Sequence, residues 1–327
     1  MFAFAQSSLI ATLSNDKEIS TYYGETAFNE AYEAAKEGDC ITLSSGTFEC
    51  VSKIEKAITI RGAGYLSDSD AGMTPTYLYV EEGKHELCIS FKEEPSSKLI
   101  IEGISFNGVS VGASNNDDKG LKKELVDFQK CSFESIKTYT YNPFFTHCII
   151  NRWYSDYATT HLYNCIMTNA IPDSYGTTGT EYNHCVVFGT YYGVMSYGIM
   201  KNCILIGDYI SSTSKNNLKS ENIFNCVAYT CDNVDIFSVL KDNDTNKMVD
   251  DLSGLFKNYS KDYKTTPSNY ELSDQFKTTY IGDDGTQIGI YGGANPFSVT
   301  LSNPRITNFS IETNQEDGKL KVKLNVK

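Results

Sequence analysis

Arginine is scarce in this chain, occurring only at Arg61, Arg152 and Arg305 against 41 acidic residues. The formal net charge is −13, and the acids are spread along the chain rather than gathered in a tail. Nucleic acid and anionic membrane surfaces both demand a basic face, so neither is expected as a partner. A polyanionic sugar is disfavoured as well, unless lysine builds a local patch. No apolar run reaches the length of about eighteen residues that a membrane-spanning helix needs, so no span is expected. Only one pair of the ten cysteines, Cys226 and Cys231, has the close spacing of a zinc pair, and no second such pair accompanies it. With 327 residues, 40% of them hydrophobic, the chain can bury a large core in one or two domains.

What the chain does have is a recurring phrase. "FFTHCII", "HLYNCIM", "EYNHCVV", "IMKNCIL" and "NIFNCVA" each place a cysteine after His or Asn, between apolar neighbours. Cys131, Cys148, Cys165, Cys185, Cys203 and Cys226 follow one another at intervals of 17, 17, 20, 18 and 23 residues. A period of that size marks a stacked repeat, and is too short for the helix pairs of TPR or ankyrin arrays. Three residues before each cysteine stand Phe128, Phe145, Leu162, Tyr182, Met200 and Ile223; two after it stand Phe133, Ile150, Met167, Val187, Leu205 and Ala228. "EGISF" at 102–106 fits one repeat earlier, with Ile104 in the cysteine column.

Strand residues alternate between faces, so the cysteine and the residue two on point inward together. The apolar residue three before breaks that alternation, which requires a bend between them. The residue just before the cysteine is Gly103, Lys130, His147, Asn164, His184, Asn202 or Asn225. Gly and Asn, and His to a lesser degree, tolerate the left-handed backbone region that a sharp bend uses. The pattern predicts an all-β, right-handed parallel β-helix (a solenoid) with coils about 4.8 Å apart. The cysteine becomes a small core residue stacked on its counterparts.

"AFNEAYEAAKEGDCITLSSGTF", followed by "KAITIRGAG", resembles the opening of secreted pectate-lyase-like right-handed β-helix proteins. "DGTQIGIYGGANPF" with "NPRITNFSIETNQEDGKLKVKLNVK" resembles the closing coil and tail of such proteins in Bacteroidetes-type bacteria. The resemblance implies a short N-terminal capping helix over about 26–37, coils from 40 to about 295, and a C-terminal β-hairpin. It also implies a secreted, periplasmic or cell-surface location in a Gram-negative bacterium. Ala3-Phe4-Ala5 has the small-x-small form of a signal-peptidase site, although no basic segment precedes it. The expected division is a signal remnant at 1–5, the β-helix with its cap at 6–296, and a tail at 297–327. Residues 6–25 read as an irregular lead-in, 108–124 as a polar surface loop, and 241–276 as an excursion before a final coil.

Several patterns of the superfamily are missing: its Asn-Thr-Asp, Gly-His-Gly and Arg-Ile-Lys signatures, and the Arg-x-Pro-x-x-Arg of classical pectate lyases. Candidate chemistry therefore rests on residue types. "NRWYSDY" at 151–157 is the one place where an arginine meets the single tryptophan, two tyrosines and an aspartate. A guanidinium forks onto a carboxylate and an indole face stacks on a sugar ring. Arg152, Asp156, Asp173 and Asp208 are thus the catalytic candidates, the aspartates lying after three of four successive cysteine strands where acid/base pairs would work. Trp153, Tyr154, Tyr191 and Tyr192 are the candidates for binding sugar. The bland reading makes the aspartates solvated loop residues, packs Trp153 among its neighbours and pairs Arg152 with an acid.

No cofactor is expected; calcium would suit "NNDD" (115–118) or "DNDTN" (242–246), but neither has a binding motif. His147 and His184 fall in the bend column and read as structural, while His161 has no assigned role. Cys40 with Cys50, and Cys226 with Cys231, are the best-placed pairs for a bridge. Two functions follow: a polysaccharide- or surface-glycan-engaging protein, with lyase and glycoside hydrolase as its candidate activities, or a non-catalytic surface or adhesion module.

Overall fold

Each repeat of the cysteine phrase contributes one short strand to each of two long parallel sheets. Phe144–Thr146 lies in the first and Ile149–Ser155 in the second; His161–Tyr163 and Ile166–Ala170 follow in the same way one repeat on. The coordinates are a computed structural model that describes residues 9–15, 17–66, 74–80, 86–112, 124–139, 141–155, 159–170, 180–189, 198–207, 220–230, 242–301, 306–313 and 320–326. Among these, the first sheet has eleven strands and the second twelve; neither closes on itself. The protein is mostly β, with long parallel stacks and few helices, an arrangement compatible with a β-helix.

The bend between the paired strands sits where the residue types place it. Lys130, His147, Asn164, His184, Asn202 and Asn225 all have φ between 52 and 57°, and Gly103 has φ 71°. These are the only non-glycine residues with positive φ among those described. Two residues after each cysteine the side chain is again inside, so Phe133, Ile150, Met167, Val187 and Leu205 fill the interior beside Phe128, Phe145, Leu162, Tyr182 and Met200. Like side chains stack from strand to strand: Phe106 on Phe133 at 5.4 Å and Phe128 on Phe145 at 5.1 Å between ring centroids.

The ends depart from the sequence reading. The lead-in is ordered: Ile10–Ser14 and Ile19–Tyr23 form an antiparallel hairpin at the edge of the first sheet. Asn15 Oδ1 accepts from the backbone of Lys17 and Glu18 to make its turn. The capping helix α1 is shorter than expected, Ala27–Ala34, with Ala27, Phe28, Ala31 and Tyr32 buried. It stops where Ala35 turns extended, and Lys56 Nζ donates to the carbonyls of Tyr32, Glu33 and Ala35, groups with no partner inside the helix. Residues 108–111, read as loop, continue the strand Ile104–Val111.

The largest correction concerns the stretch after Met248. Lys247–Met248 adds the last parallel strand, and no closing coil follows. Instead the chain crosses the outside of the second sheet through α2 (Leu252–Leu255), two 3-10 turns and α3 (Asp274–Thr279). Leu252, Leu255, Phe256, Tyr270, Leu272, Ile288 and Ile290 pack there on the outward residues Ile149, Ile166, Val186, Phe188, Ile204, Ile206 and Val227. Burying such side chains contributes about 1.5–3 kcal/mol each. The outward positions after the cysteine are apolar because this segment covers them.

Residues 283–301 then run back along the bends as a strap. Asn202 exchanges hydrogen bonds with Asp283, donating from Nδ2 at 2.7 Å and accepting from its backbone at 3.1 Å. His184 Nε2 lies 2.9 Å from Asp284 Oδ2. Asn164 Nδ2 donates to the carbonyls of Ile290 and Gly292, both at 2.8 Å, and His147 Nε2 meets the Asn295 carbonyl at 2.9 Å. Finally Leu301 lies against Gly103, where an added Cβ would come within 2.8 Å of Leu301 Cδ2. Ile306–Thr313 and Leu320–Val326 form the expected antiparallel hairpin.

The described cysteines are thiols: Cys40 and Cys50, one of the two candidate pairs, are both free, as are Cys88 and the six of the column. Cys231 lies outside the described residues.

Candidate functional site

The outer face of the second sheet changes character half-way along. One residue after the cysteine column, Ser105 and Ser132 give way to Ile149, Ile166, Val186, Ile204 and Val227. Three after it, Asn107, Glu134, Asn151 and Thr168 give way to Phe188, Ile206 and Tyr229. The apolar half lies under the segment that follows Met248. The polar half forms the floor of an open groove of about 690 Å³, within the usual range of ligand sites. Tyr65, Leu66 and Tyr77 border it toward the Ser105 end, and Lys261, Asp262, Lys264 and Thr265 form a wall that reaches the Phe188 end.

The floor is internally bonded. Ser105 and Ser132 hydroxyls share a 2.8 Å hydrogen bond, and Ser105 Oγ donates to the Tyr65 carbonyl. Asn151 Nδ2 donates to Glu134 Oε1 at 2.9 Å, while Thr168 Oγ1 donates to Asn151 Oδ1 at 2.9 Å. Arg152 Nη2 donates to the same Glu134 oxygen at 2.7 Å. Two donors on one carboxylate oxygen fix the orientation of Glu134. They also offset its charge at a position where each side chain is about half exposed.

Of the residues singled out by sequence, Arg152 is therefore beside the groove and paired with Glu134. Trp153 does not fit the sugar-stacking role: it is 1% exposed, and its Nε1 donates to Thr138 Oγ1 inside the core. The reason is a second bend. Phe133 and Ile150 point in; the next two residues point out; then Val109, Ile136 and Trp153 share one inward position in register. Tyr154, on the opposite side of its strand from Trp153, is partly exposed and does not line the groove. Asp156, Asp173, Asp208, Tyr191 and Tyr192 lie outside the described residues, as does "NNDD". In "DNDTN", Asn243 and Asn246 close the last bend by donating to the Ile223 carbonyl.

The first sheet's outer face offers a competing cluster. His161 stacks on Phe144 at 4.5 Å and pairs with Glu181 Oε2 at 3.3 Å, and Tyr163 lies parallel to Phe144. Burial pushes the Asp127 carboxyl up, against a hydrogen bond from Gln129. Lys98 covers the remaining face of Phe144 at 4.6 Å. These ring faces are taken up by one another and by lysine, so the cluster does not present a platform to a sugar. Among the described residues, no three His, Cys, Asp or Glu side chains gather as a metal site would need. No helix among the described residues is long and apolar enough to cross a membrane.

Compared with known proteins, the chain matches no protein-family model, no curated protein and no solved structure.

The groove residues Glu134, Asn151, Asn107, Thr168 and the 261–265 wall were not among the sequence candidates. The floor had a readable signal: the outward column turns from polar to apolar between Thr168 and Phe188. The wall had none, because its partner lies about a hundred residues upstream, beyond any local pattern.

Proposed function

We propose that the chain is a secreted right-handed parallel β-helix protein of pectate-lyase-like type that holds a polysaccharide in the groove of its second sheet. The observation that carries this reading is the polar row of Asn107, Glu134, Asn151 and Thr168, the last three hydrogen-bonded in series, in an open groove flanked by Tyr77, which is 43% exposed. Amide, hydroxyl and carboxylate groups at regular spacing suit a repeating polyol, and a partly exposed phenol ring suits the apolar face of a sugar. Export, at the surface or in the periplasm of a Gram-negative bacterium, is supported by Ala3-Phe4-Ala5 and by the resemblance of the chain's two ends.

The test is retention of the purified protein in gels containing pectin, xylan, β-glucan or hyaluronan. Retention by one of them is expected. Asn151→Ala should weaken it about three- to tenfold, the worth of one lost hydrogen bond. Passage through every gel unretarded would remove the proposal.

A second reading, catalysis, is favoured by Glu134 on the floor and Asp262 on the wall of the same groove. Two carboxylates flanking the scissile bond are what glycoside hydrolysis uses. New reducing ends from a retained polymer, lost in Glu134→Gln, support hydrolysis. Binding without turnover leaves the protein a glycan-binding module.

A further inference from the structure

Resting on the glycan reading of this groove, we infer that the site takes the end of a sugar chain, about four units long, and not the middle of a polymer. Asn107, Glu134, Asn151 and Thr168 stand on four successive strands of one sheet, each about 4.8 Å from the next. That step is close to the advance of one pyranose ring in an extended glycan, so a chain lying across the strands meets one floor residue per sugar.

The fifth position is Phe188, and there the floor stops. Phe188 is fully buried, with Tyr270 set edge-on to its ring at 6.0 Å and Lys264 Nζ 5.1 Å from its centroid. Lys264 lines the groove and also lies over Phe188, so it stands where the fifth sugar would go. Behind it, Tyr270 donates its hydroxyl to the Lys264 carbonyl at 2.6 Å, which fixes this wall. At the opposite end the row passes from Asn107 to Tyr79, which is hydrogen-bonded to Glu25 and does not line the groove, beside the exposed ring of Tyr77. Among the described residues, Lys264 and Tyr270 cover the Phe188 end of the row, while Tyr77 at the other end is 43% exposed, the arrangement of a groove closed at one end. The interior of a polymer needs both ends open; a terminus needs only one.

The test uses the full chain and whichever of pectin, xylan, β-glucan or hyaluronan retains it. Equal masses of that polymer, intact and partially depolymerised, are compared for protein bound at saturation. Oligosaccharides of two to six units from the same polymer are titrated alongside. Bound protein should rise in proportion to the number of chain ends, and affinity should stop improving at about four units. Unchanged binding per gram after depolymerisation, or affinity that still climbs at six units, overturns the inference and leaves glycan binding intact. No binding to any polymer or oligosaccharide is a different result: it removes the glycan reading and this inference together.

Discussion

The Cys148 thiol donates to the carbonyl oxygen of Phe128, one repeat earlier in the chain, at 3.4 Å. The relation recurs: Cys131 to Ile101, Cys165 to Phe145, Cys185 to Leu162, Cys203 to Tyr182 and Cys226 to Met200, at 3.4–3.7 Å. Each thiol also reaches the carbonyl two residues before it, as Cys165 does with Tyr163 at 3.3 Å. The cysteine is thus a small side chain that fits the interior beside the bend and carries one weak donor for carbonyls the bend exposes. Alanine would fill part of the same space without the donor.

The column thiols should be inert in the folded protein. All six are at most 1% exposed, and burial pushes Cys148, Cys165 and Cys203 up, away from the reactive thiolate. Iodoacetamide followed by mass spectrometry should label none of the six at pH 8 without denaturant and all of them in urea. Partly exposed Cys40 and Cys88 should react first. Rapid native labelling of Cys148 or Cys165 would contradict the burial described.

Asn164 carries two separable contributions, its left-handed backbone and its two hydrogen bonds to the strap. Asn164→Gly keeps the backbone and loses the bonds, which should cost about 1–3 kcal/mol. Asn164→Ala adds a left-handed conformation that costs an ordinary residue about 1–2 kcal/mol more. Urea unfolding of the two variants should rank them in that order. Equal stability of both variants would mean that the bend holds no strain.

The inward columns and the bend could be read from the sequence because they repeat: seven successive bend residues show the same constraint, and repetition averages out local accident. The sugar-stacking reading of Trp153 fails, and the packing reading holds, because of a second bend that has no residue-type marker. Gly108, Ser135, Arg152 and Asn169 share that position and have nothing in common. The strap was misread as a coil for a related reason. "DGTQIGIYGG" has the glycines and alternating aliphatics of a strand and turn, but its partners are His184 and Asn164, about a hundred residues upstream. Similarly, nothing local marks Lys261–Thr265 as the wall of a groove whose floor begins at Ser105.

Gly292 is where the strap passes closest to the bends. A Cβ there would fall 1.7 Å from the Gln287 carbonyl oxygen and 2.5 Å from His184 Nδ1, so the strap must shift to accept any side chain. Gly292→Ala should destabilise the protein by about 1–3 kcal/mol, the range for overpacking a filled site. It should also speed proteolytic cleavage within 280–301 relative to the sheets. Wild-type stability with wild-type proteolysis would show that the strap does not hold the bends in place.

His147 should make the strap pH-sensitive. Burial holds its imidazole below the ordinary value of about 6.5, overcoming the hydrogen bond to the Asn295 carbonyl, and Lys130 pushes in the same direction. Its Nδ1 is buried without a partner, so a proton added there gains no acceptor. Above about pH 6.5 both folded and unfolded chains hold it neutral, and its contribution to stability is complete. As pH falls below that value the unfolded chain binds the proton first, so stability drops until pH passes the depressed folded value, then levels. Asp284, beside His184, behaves differently. Burial raises its pKa, but bonds from Thr286 and His184 outweigh that and leave it below the usual carboxylate value of about 3.9, so its contribution is lost only at lower pH. His147→Asn tolerates the left-handed bend and cannot take up a proton. Urea midpoints measured from pH 7.5 to 5.5 should therefore fall less steeply in the variant than in the wild type. Parallel slopes would show that His147 titrates alike in the folded and unfolded chain, and that its burial under Asn295 and Phe297 does not hold it neutral.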